Sequence, residues 1–205
     1  MWDSVREYWV EFNRPLEGVL RYMYLDVKEL LTTGMGNLID SPDAAAELNW
    51  LREDGESASY DEVVQEWQNV KSRTDLAQLG GGHFAPPVTT LHLDDAEIDR
   101  VVWTKLDQNE SYLAGRDAFA DLANWPADAQ LGLFSMAWAL GPAFNFPNFQ
   151  GFVKLRDWEG AAAQCTFGPH QGTIIQRNAL DQQLFHNATR VDAEHLDPSV
   201  LLLTQ

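Results

Sequence analysis

Residues 17–36 read EGVLRYMYLDVKELLTTGMG, and this stretch decides the predicted fold and site. An acidic residue, Glu17, is followed after eight residues by a second one, Asp26, and after five more by a hydroxyl, Thr32. Two carboxylates on either side of a substrate are the groups that cleave a glycosidic bond with water. The stretch therefore predicts a hydrolytic site built on a short segment near the N-terminus.

The residues before Glu17 are predicted to form a helix. Apolar side chains recur there at helical spacing, at Trp2, Val5, Tyr8, Trp9 and Phe12. Pro15 lacks an amide hydrogen and is predicted to end or kink this helix, so that Glu17 follows the helix C-terminus. The partial negative charge at that end disfavours a second negative charge, which suits a carboxyl that has to donate a proton.

The residues after Glu17 are predicted to form a β-hairpin. Residues 22–27 alternate and are rich in aromatic and branched side chains, residues 27–29 form the turn, and residues 30–33 return. The two-residue period of a strand places Tyr22, Tyr24 and Asp26 on one face.

The hairpin is predicted to carry the second half of the site. Asp26 stands near the end of its strand and Thr32 near the start of the return, so we expect both to face one cleft. The other wall of that cleft is expected to be the helix end that carries Glu17. Gly34 and Gly36 allow the backbone to approach closely at this point.

Residues 17–39 resemble, without a gap, the catalytic segment of the phage-type lysozymes, glycoside hydrolase family 24, which includes the T-even phage enzymes. The resemblance implies that Glu17 is the general acid, that Asp26 holds or deprotonates the attacking water, and that Thr32 helps to place it. The implied substrate is the β-1,4 bond between N-acetylmuramic acid and N-acetylglucosamine in peptidoglycan, cleaved with inversion and without metal or cofactor.

Two residues depart from the family pattern. Glu29 occupies a turn position where the family usually has glycine, so either the turn is rebuilt or Glu29 is strained at a positive φ. Asn37 stands where the family usually has histidine, and the change is predicted to affect stability and not catalysis.

The resemblance also implies the fold class, which is α+β and mostly helical. The implied fold is a two-lobed lysozyme-like fold, with a small antiparallel β-sheet expected in the N-terminal lobe and a helical C-terminal lobe. A single domain over residues 1–205 is expected, which divides into an N-terminal helix at 1–16, a small lobe at 17–92, a linking helix at 93–113 and a helical large lobe at 114–205. Residues 50–90 are interpreted as an insertion in the small lobe, which lengthens the cleft, docks a partner or has no special role.

Local patterns predict the other elements. Ser41 and Pro42 are typical of a helix start, and this helix is expected to continue to Leu51. Further helices are predicted at residues 60–76 and 124–141, with a break at the glycines of 80–82 and an extended segment at 83–90. The apolar residues 200–203 are expected to dock on the core.

Three residues of the C-terminal half are second-rank site candidates. Trp138 is either a platform for a sugar ring or a core residue, and Gln164 falls where the family has a substrate-contacting Asn. Arg177 resembles an arginine that lies near the catalytic acid in the family, and it is the candidate partner of Glu17. The alternative for Arg177 is a solvated arginine on a helix surface. The resemblance also implies that Gly34 and Gly36 support the site.

Charge and composition exclude several function classes. The 205 residues carry a net charge of −17 and no basic cluster, which argues against nucleic-acid binding. No apolar run is long enough to span a bilayer, and the N-terminus has no signal-peptide pattern. Cys165, the single cysteine, is expected to be a small buried residue, and a zinc site is not expected. An acidic enzyme is repelled by teichoic acids, so the expected target is a thin Gram-negative sacculus.

Two biological roles fit an enzyme made in the cytoplasm without a signal peptide that acts on peptidoglycan in the periplasm or cell wall. One is a phage endolysin released through the membrane. The other is an antibacterial effector or toxin domain that needs delivery machinery and a matching immunity protein. The alternative of a different class is a catalytically inactive peptidoglycan-binding or structural module.

Overall fold

The computed structural model describes residues 1–78 and 88–204. The chain is mostly helical and contains one three-stranded antiparallel sheet, so the predicted α+β, mostly helical class is confirmed at this level. It divides into two compact units. The first consists of Met1–Leu16 and Leu106–Gln205, and the second is Glu17–Lys105.

The elements follow one another in this order. The α-helices are α1 (Asp3–Glu17), α2 (Pro42–Ala46), α3 (Tyr60–Lys71), α4 (Thr74–Gln78), α5 (Asp95–Ala114), α6 (Ala127–Leu140), α7 (Pro147–Lys154), α8 (Trp158–Gln164) and α9 (Thr173–Glu194). The strands β1 (Leu20–Leu25), β2 (Leu31–Gly34) and β3 (Asn37–Leu38) lie between α1 and α2, and short 3-10 turns occur at Asp117–Phe119, Leu122–Asn124 and Leu202–Thr204.

The helix before the sheet is longer than predicted. Helix α1 continues past Pro15 and ends at Glu17, because a proline in the last turn removes only one intrahelical hydrogen bond. The residue that stops the helix is Gly18, which has a φ of 72°. A left-handed glycine directly after the last helical residue is a common helix terminator. Glu17 is therefore the last residue of the helix and not a residue beyond it.

The sheet has the order β1-β2-β3, and both pairs are antiparallel. Met23 and Leu25 of β1 are buried, whereas Tyr22 and Tyr24 are half-buried on the opposite face. The predicted hairpin and its alternation are thus confirmed. Strand β1 begins at Leu20, two residues earlier than predicted, and the pairing with β2 is irregular between Leu20 and Tyr24.

Helix α2 shows the largest difference from the predicted boundaries. It begins as predicted, with the Ser41 hydroxyl accepting from the Ala44 amide and proline at the first position, but it ends at Ala46 instead of Leu51. The chain turns there because the Trp50 indole is buried and donates to the Ala45 carbonyl at 2.8 Å. Leu51 then forms isolated β-bridges and leaves the helix.

Helix α3 connects several parts of the second unit. Ser59 and Glu62 form a capping box at its start, and the predicted single helix over 60–76 is interrupted after Lys71 before α4 begins. Glu66 is 5% exposed and accepts hydrogen bonds from the amides of Thr90 and Leu91 at 2.7 and 3.0 Å. The predicted glycine break and most of the extended segment at 83–90 lie outside the described residues.

The core of the first unit is built around α6. Residues Ala127 to Trp138 of this helix are all buried, as the apolar sequence predicted, and α6 packs mainly against α9. Helices α7 and α8 contact each other closely, since a Cβ on Gly160 would lie 2.3 Å from the ring of Phe152. The aromatic side chains that fill the same unit are Phe119, Trp125, Phe149, Trp158 and Phe185.

The C-terminal segment docks on this core, as predicted. Asp128 in the first turn of α6 is fully buried and accepts hydrogen bonds from the amides of Leu202 and Leu203 at 2.8 and 3.1 Å. The same carboxylate accepts from the Asn187 side chain of α9 at 2.7 Å. Burial raises the pKa of Asp128, although these hydrogen bonds oppose the shift. Leu201 is 4% exposed, so the segment also contributes to the apolar core.

Within residues 1–78 and 88–204, the helices are too short or too polar to cross a lipid bilayer.

Candidate functional site

The three residues of the predicted catalytic set lie in the second unit. Glu17 is half-buried and ends α1, while Gly18 turns the chain toward β1. Asp26 directly follows β1, and Thr32 lies in β2. The carboxylate that was assigned as the acid therefore sits on a helix end, and the other two groups sit on the hairpin.

The hairpin turn holds the Asp26 carboxylate through one of its two oxygens. Oδ1 accepts hydrogen bonds from the amides of Lys28 at 2.8 Å and Leu30 at 2.9 Å, and the Asp26 amide donates to the Leu30 carbonyl at 2.9 Å. Among the described residues, Oδ2 has no hydrogen-bond or ion-pair partner. The turn thus fixes the orientation of the carboxylate and leaves Oδ2 as its acceptor for another molecule.

Thr32 is paired directly with Tyr24 across the β1–β2 ladder. Side chains of directly paired residues lie on the same face of a sheet and next to each other. The Thr32 hydroxyl donates to the Leu30 carbonyl at 3.3 Å, and the residue is 6% exposed. Because its proton is used in that bond, the Thr32 oxygen is available as an acceptor.

Tyr24 connects the helix end and the hairpin electrostatically. Burial, followed by the negative charges of Glu17 and Asp26, raises the pKa of Tyr24 to about 12. Both carboxylates therefore lie close enough to the phenol to act on its charge. The same effect is missing at Tyr22, the previous residue on this face, whose pKa is raised by burial alone. Glu17, Asp26, Thr32 and Tyr24 consequently belong to one cluster.

The turn at Glu29 is strained. Of the two expectations, a rebuilt turn or a strained Glu29, the structure shows the second. Glu29 has a φ of 60°, a conformation that favours glycine. Its carbonyl accepts a hydrogen bond from Nζ of Lys71 at 2.8 Å, and the same ammonium binds Asp40 at 2.5 Å. Burial disfavours the charge of Asp40, but the bonds from Lys71 and the Leu31 amide outweigh it and lower the pKa of Asp40. Helix α3 thereby holds the turn in place.

The second turn of the sheet uses the two glycines of the motif. Gly34 and Gly36 have φ values of 60° and 73°, so both positions favour glycine. Asn37 is 6% exposed, and among the described residues its Oδ1 has no hydrogen-bond partner. Lys105 of α5 donates to the Gly36 carbonyl at 3.0 Å. The predicted supporting role of the glycines thus has a conformational basis.

The second-rank candidates lie in the first unit. Trp138 is 5% exposed and packs against Trp9 with ring centroids 5.2 Å apart, which is the packing of a core residue. Gln164 ends α8, is exposed and accepts from the Asn148 side chain at 3.3 Å. Their roles in substrate binding stay predictions.

Arg177 is 1% exposed on α9, so the alternative of a solvated surface arginine is wrong. Its guanidinium donates to the Ser135 carbonyl and hydroxyl at 3.2 and 3.0 Å and to the Asn13 side chain at 3.1 Å. A buried guanidinium requires several acceptors, and these neighbours provide them. Its predicted pairing with Glu17 stays a prediction.

A buried acid, Asp181, lies near Arg177. Asp181 is fully buried, and among the described residues neither carboxylate oxygen has a hydrogen-bond partner. Burial raises the pKa of Asp181 to about 7. Two neighbours oppose this rise of the pKa. They are the Ser135 hydroxyl, which lies near the carboxylate but outside hydrogen-bond geometry, and the positive charge of Arg177. Burial and the proximity of Asp181 also raise the pKa of the Cys165 thiol to about 12, and Cys165 is fully buried as predicted.

Two residues of the site had no predicted role. Tyr24 was placed on the Asp26 face by the strand period, and that period was the available signal. Lys71 lies 42 positions from the carbonyl that it binds, and no sequence signal connects the two. In the described part of the chain, no group of three or more His, Cys, Asp or Glu side chains is arranged to hold a metal ion.

Comparison with known proteins finds no family model that matches this chain. It also finds no match among curated proteins. Any assignment of function consequently depends on the residues and geometry of the site.

Proposed function

We propose that the chain is a lysozyme that hydrolyses the β-1,4 bond between N-acetylmuramic acid and N-acetylglucosamine in peptidoglycan. The proposal includes a two-lobed lysozyme-like fold, in which the sheet-containing second unit is the small lobe and the helical first unit is the large lobe. Glycan strands of the cell wall are the substrate, and the reaction uses no metal or cofactor.

The observation that carries this proposal is the cluster around Tyr24. Two carboxylates from different elements act on one phenol, and a threonine hydroxyl lies beside it on the same sheet face. Separated carboxylates with room for a water molecule are the equipment of an inverting glycosidase. The spacing of Glu17, Asp26 and Thr32 in the sequence points to the same chemistry.

The mechanism assigns one proton transfer to each carboxylate. Glu17 donates its proton to the glycosidic oxygen as the bond from that oxygen to the anomeric carbon breaks. A water molecule attacks the anomeric carbon from the opposite face and transfers a proton to Oδ2 of Asp26. The product is a reducing-end N-acetylmuramic acid with inverted configuration, and exchange with solvent restores the two protonation states.

The hairpin explains why Asp26 is suited to the role of base. Because Oδ1 is occupied by two backbone amides, the carboxylate cannot rotate freely, and Oδ2 is directed to one place. The Thr32 oxygen accepts the second hydrogen of the water, since its own hydrogen is bound to the Leu30 carbonyl. A water held by two acceptors is oriented with a lone pair toward the substrate.

The decisive experiment is digestion of purified sacculi by the wild type and by Glu17→Gln and Asp26→Asn. We expect each substitution to lower the rate of muropeptide release by about 10²–10⁴-fold. Asn retains an Oδ1 for the two turn amides, so Asp26→Asn is expected to keep the wild-type melting temperature. Released fragments should carry reducing-end muramic acid, detected by borohydride reduction and mass spectrometry.

Glu11→Gln is the matched control, because Glu11 is an exposed glutamate on the same helix. It should leave the rate unchanged. Undiminished digestion by Glu17→Gln would end the assignment of the general acid. A wild type that binds sacculi but releases no fragments would support the alternative, an inactive wall-binding module.

The charge of −17 bears on where such an enzyme works. We propose that it acts on a thin Gram-negative sacculus, either as a phage endolysin or as a delivered antibacterial effector with an immunity protein as partner. At low ionic strength, activity on teichoic-acid-rich walls should be lower than on Gram-negative sacculi, and added salt should reduce the difference. Equal low-salt activity on both walls would contradict the electrostatic argument.

A further inference from the structure

We propose that the Tyr24 hydroxyl donates a hydrogen bond to the attacking water and, with Asp26 and Thr32, positions it for the reaction. This inference rests on the proposed function, since it assigns a residue to the same site. It concerns a side chain to which the sequence motif gave no role.

The position of Tyr24 supports this assignment. Its Cα is the direct ladder partner of Thr32. Asp26 follows two residues later, with its amide still bonded to the Leu30 carbonyl, and the two-residue period of a strand assigns it to the same face. The negative charges of Glu17 and Asp26 both act on its phenol, so this side chain belongs to the same part of the molecule as the two carboxylates. An ordered water commonly bridges polar groups that are near each other without direct contact.

The hydroxyl of Tyr24 has unused hydrogen-bonding capacity in the described part of the chain. No residue in the ranges 1–78 and 88–204 forms a hydrogen bond with it. A phenol with a pKa of about 12 stays protonated at any pH at which the protein works, so it offers a donor. Asp26 and the Thr32 oxygen are acceptors, and the proton of Glu17 goes to the glycosidic oxygen, so neither carboxyl group nor the threonine supplies the donor that the water needs.

The attacking water needs such a donor. Its two hydrogens go to Oδ2 of Asp26 and to the Thr32 oxygen, and one lone pair attacks the anomeric carbon. The second lone pair is left without a partner unless a donor approaches it. Tyr24 supplies that donor, which removes the last rotational freedom of the water. No bond of Tyr24 is made or broken, so it is a positioning residue.

Tyr24→Phe tests this role, and Tyr22→Phe is the matched control. Tyr22 lies on the same face of β1, but burial alone acts on its phenol. We expect Tyr24→Phe to lower kcat by about ten-fold, the effect of one hydrogen bond, with KM and melting temperature unchanged. Tyr22→Phe should keep the wild-type kcat. The assay is initial-rate digestion of soluble, uncross-linked glycan strands.

A second measurement separates positioning from packing. Replacing Tyr24 with a ring-fluorinated tyrosine retains the hydroxyl but lowers the pH at which it ionises. This variant should have the wild-type kcat at low pH, where its phenol is protonated. Its kcat should fall as the phenol ionises, because a phenolate cannot donate a hydrogen bond to the water. A packing role for the ring predicts a kcat that does not follow this ionisation.

The outcomes also separate this inference from the proposed function. If the wild type is active and Glu17→Gln is not, but Tyr24→Phe retains full kcat, then the role of Tyr24 is refuted and the lysozyme assignment stands. If Tyr24→Phe loses activity only through a raised KM or a lowered melting temperature, the positioning role is likewise refuted. If the wild type releases no fragments, both proposals are overturned.

Discussion

The buried acid Asp181 makes the stability of this protein depend on pH in an unusual direction. Its carboxyl is enclosed by Arg177 on the same helix, Ser135 of α6 and Cys165 after α8, and among the described residues it accepts no hydrogen bond. Asp181→Asn keeps the shape of the side chain and removes the titration. We expect this substitution to stabilise the protein at neutral and alkaline pH.

The magnitude follows from the raised pKa. The pKa of Asp181 is about 7 in the folded chain, compared with an ordinary value of 3.8. At about 1.4 kcal/mol for each pKa unit, ionised Asp181 lowers the free energy of unfolding by about 4 kcal/mol. Because the folded state binds the proton more tightly than the unfolded state, stability falls as the pH rises from about 4 to about 7. The full penalty is present above pH 7 and vanishes below pH 4.

The assay is guanidinium unfolding of wild type and Asp181→Asn at a series of pH values from 4 to 8. The variant should gain stability over the wild type by about 1.4 kcal/mol per pH unit between pH 4 and pH 7, with a plateau near 4 kcal/mol. Asp99→Asn is the control, since Asp99 is exposed on α5 and should show no such difference. A stability difference that does not change with pH would refute the reasoning, as would a variant less stable than the wild type at pH 8.

Three further substitutions test the packing and backbone of the two units by guanidinium unfolding. Glu29→Gly should raise the free energy of unfolding by about 1 kcal/mol, because glycine adopts the positive φ of this position without strain. Lys28→Gly, at the neighbouring position, should lower the free energy of unfolding. Equal effects of the two substitutions would contradict the strain at Glu29. Gly160→Ala should lower the free energy of unfolding by about 1–3 kcal/mol, because the new methyl group would clash with the ring of Phe152. Gly151→Ala is the control, since no atom lies near its new methyl group, and it should stabilise slightly. Asp128→Ala should lower the free energy of unfolding by about 3 kcal/mol and speed hydrogen exchange in the C-terminal segment, because the amides of Leu202 and Leu203 lose their acceptor. Unchanged exchange would count against the role of Asp128 in holding this segment.

The elements that the sequence predicted well are those set by local patterns. The alternation after Glu17 defines β1 and β2, the apolar run around Trp138 defines α6, and Ser41 caps α2 as expected. Local reasoning was wrong about where α1 and α2 end. Pro15 did not stop α1, because one missing amide in a last turn costs little, and α2 ended early because the Trp50 indole is drawn into the core.

The candidate site was predictable in part for the same reason. The strand period is local, so it placed Asp26 and Tyr24 on one face. Two contacts of the site join different elements of the fold, and local patterns did not predict them. The effect of Glu17 on Tyr24 and the bond from Lys71 to the Glu29 carbonyl depend on tertiary packing. A single sequence contains no signal for such pairs.

Helix α3 has a consequence for protein engineering. Lys71 binds the Glu29 carbonyl and Asp40, and Trp67, one turn earlier on the same helix face, donates to the Ile39 carbonyl at 2.8 Å. Residues 50–90 were interpreted from the sequence as an insertion. They contribute the hydrogen bonds that support the hairpin carrying Asp26 and Thr32. A shortened chain that omits the whole segment loses these contacts, so it has to retain α3 and remove residues elsewhere.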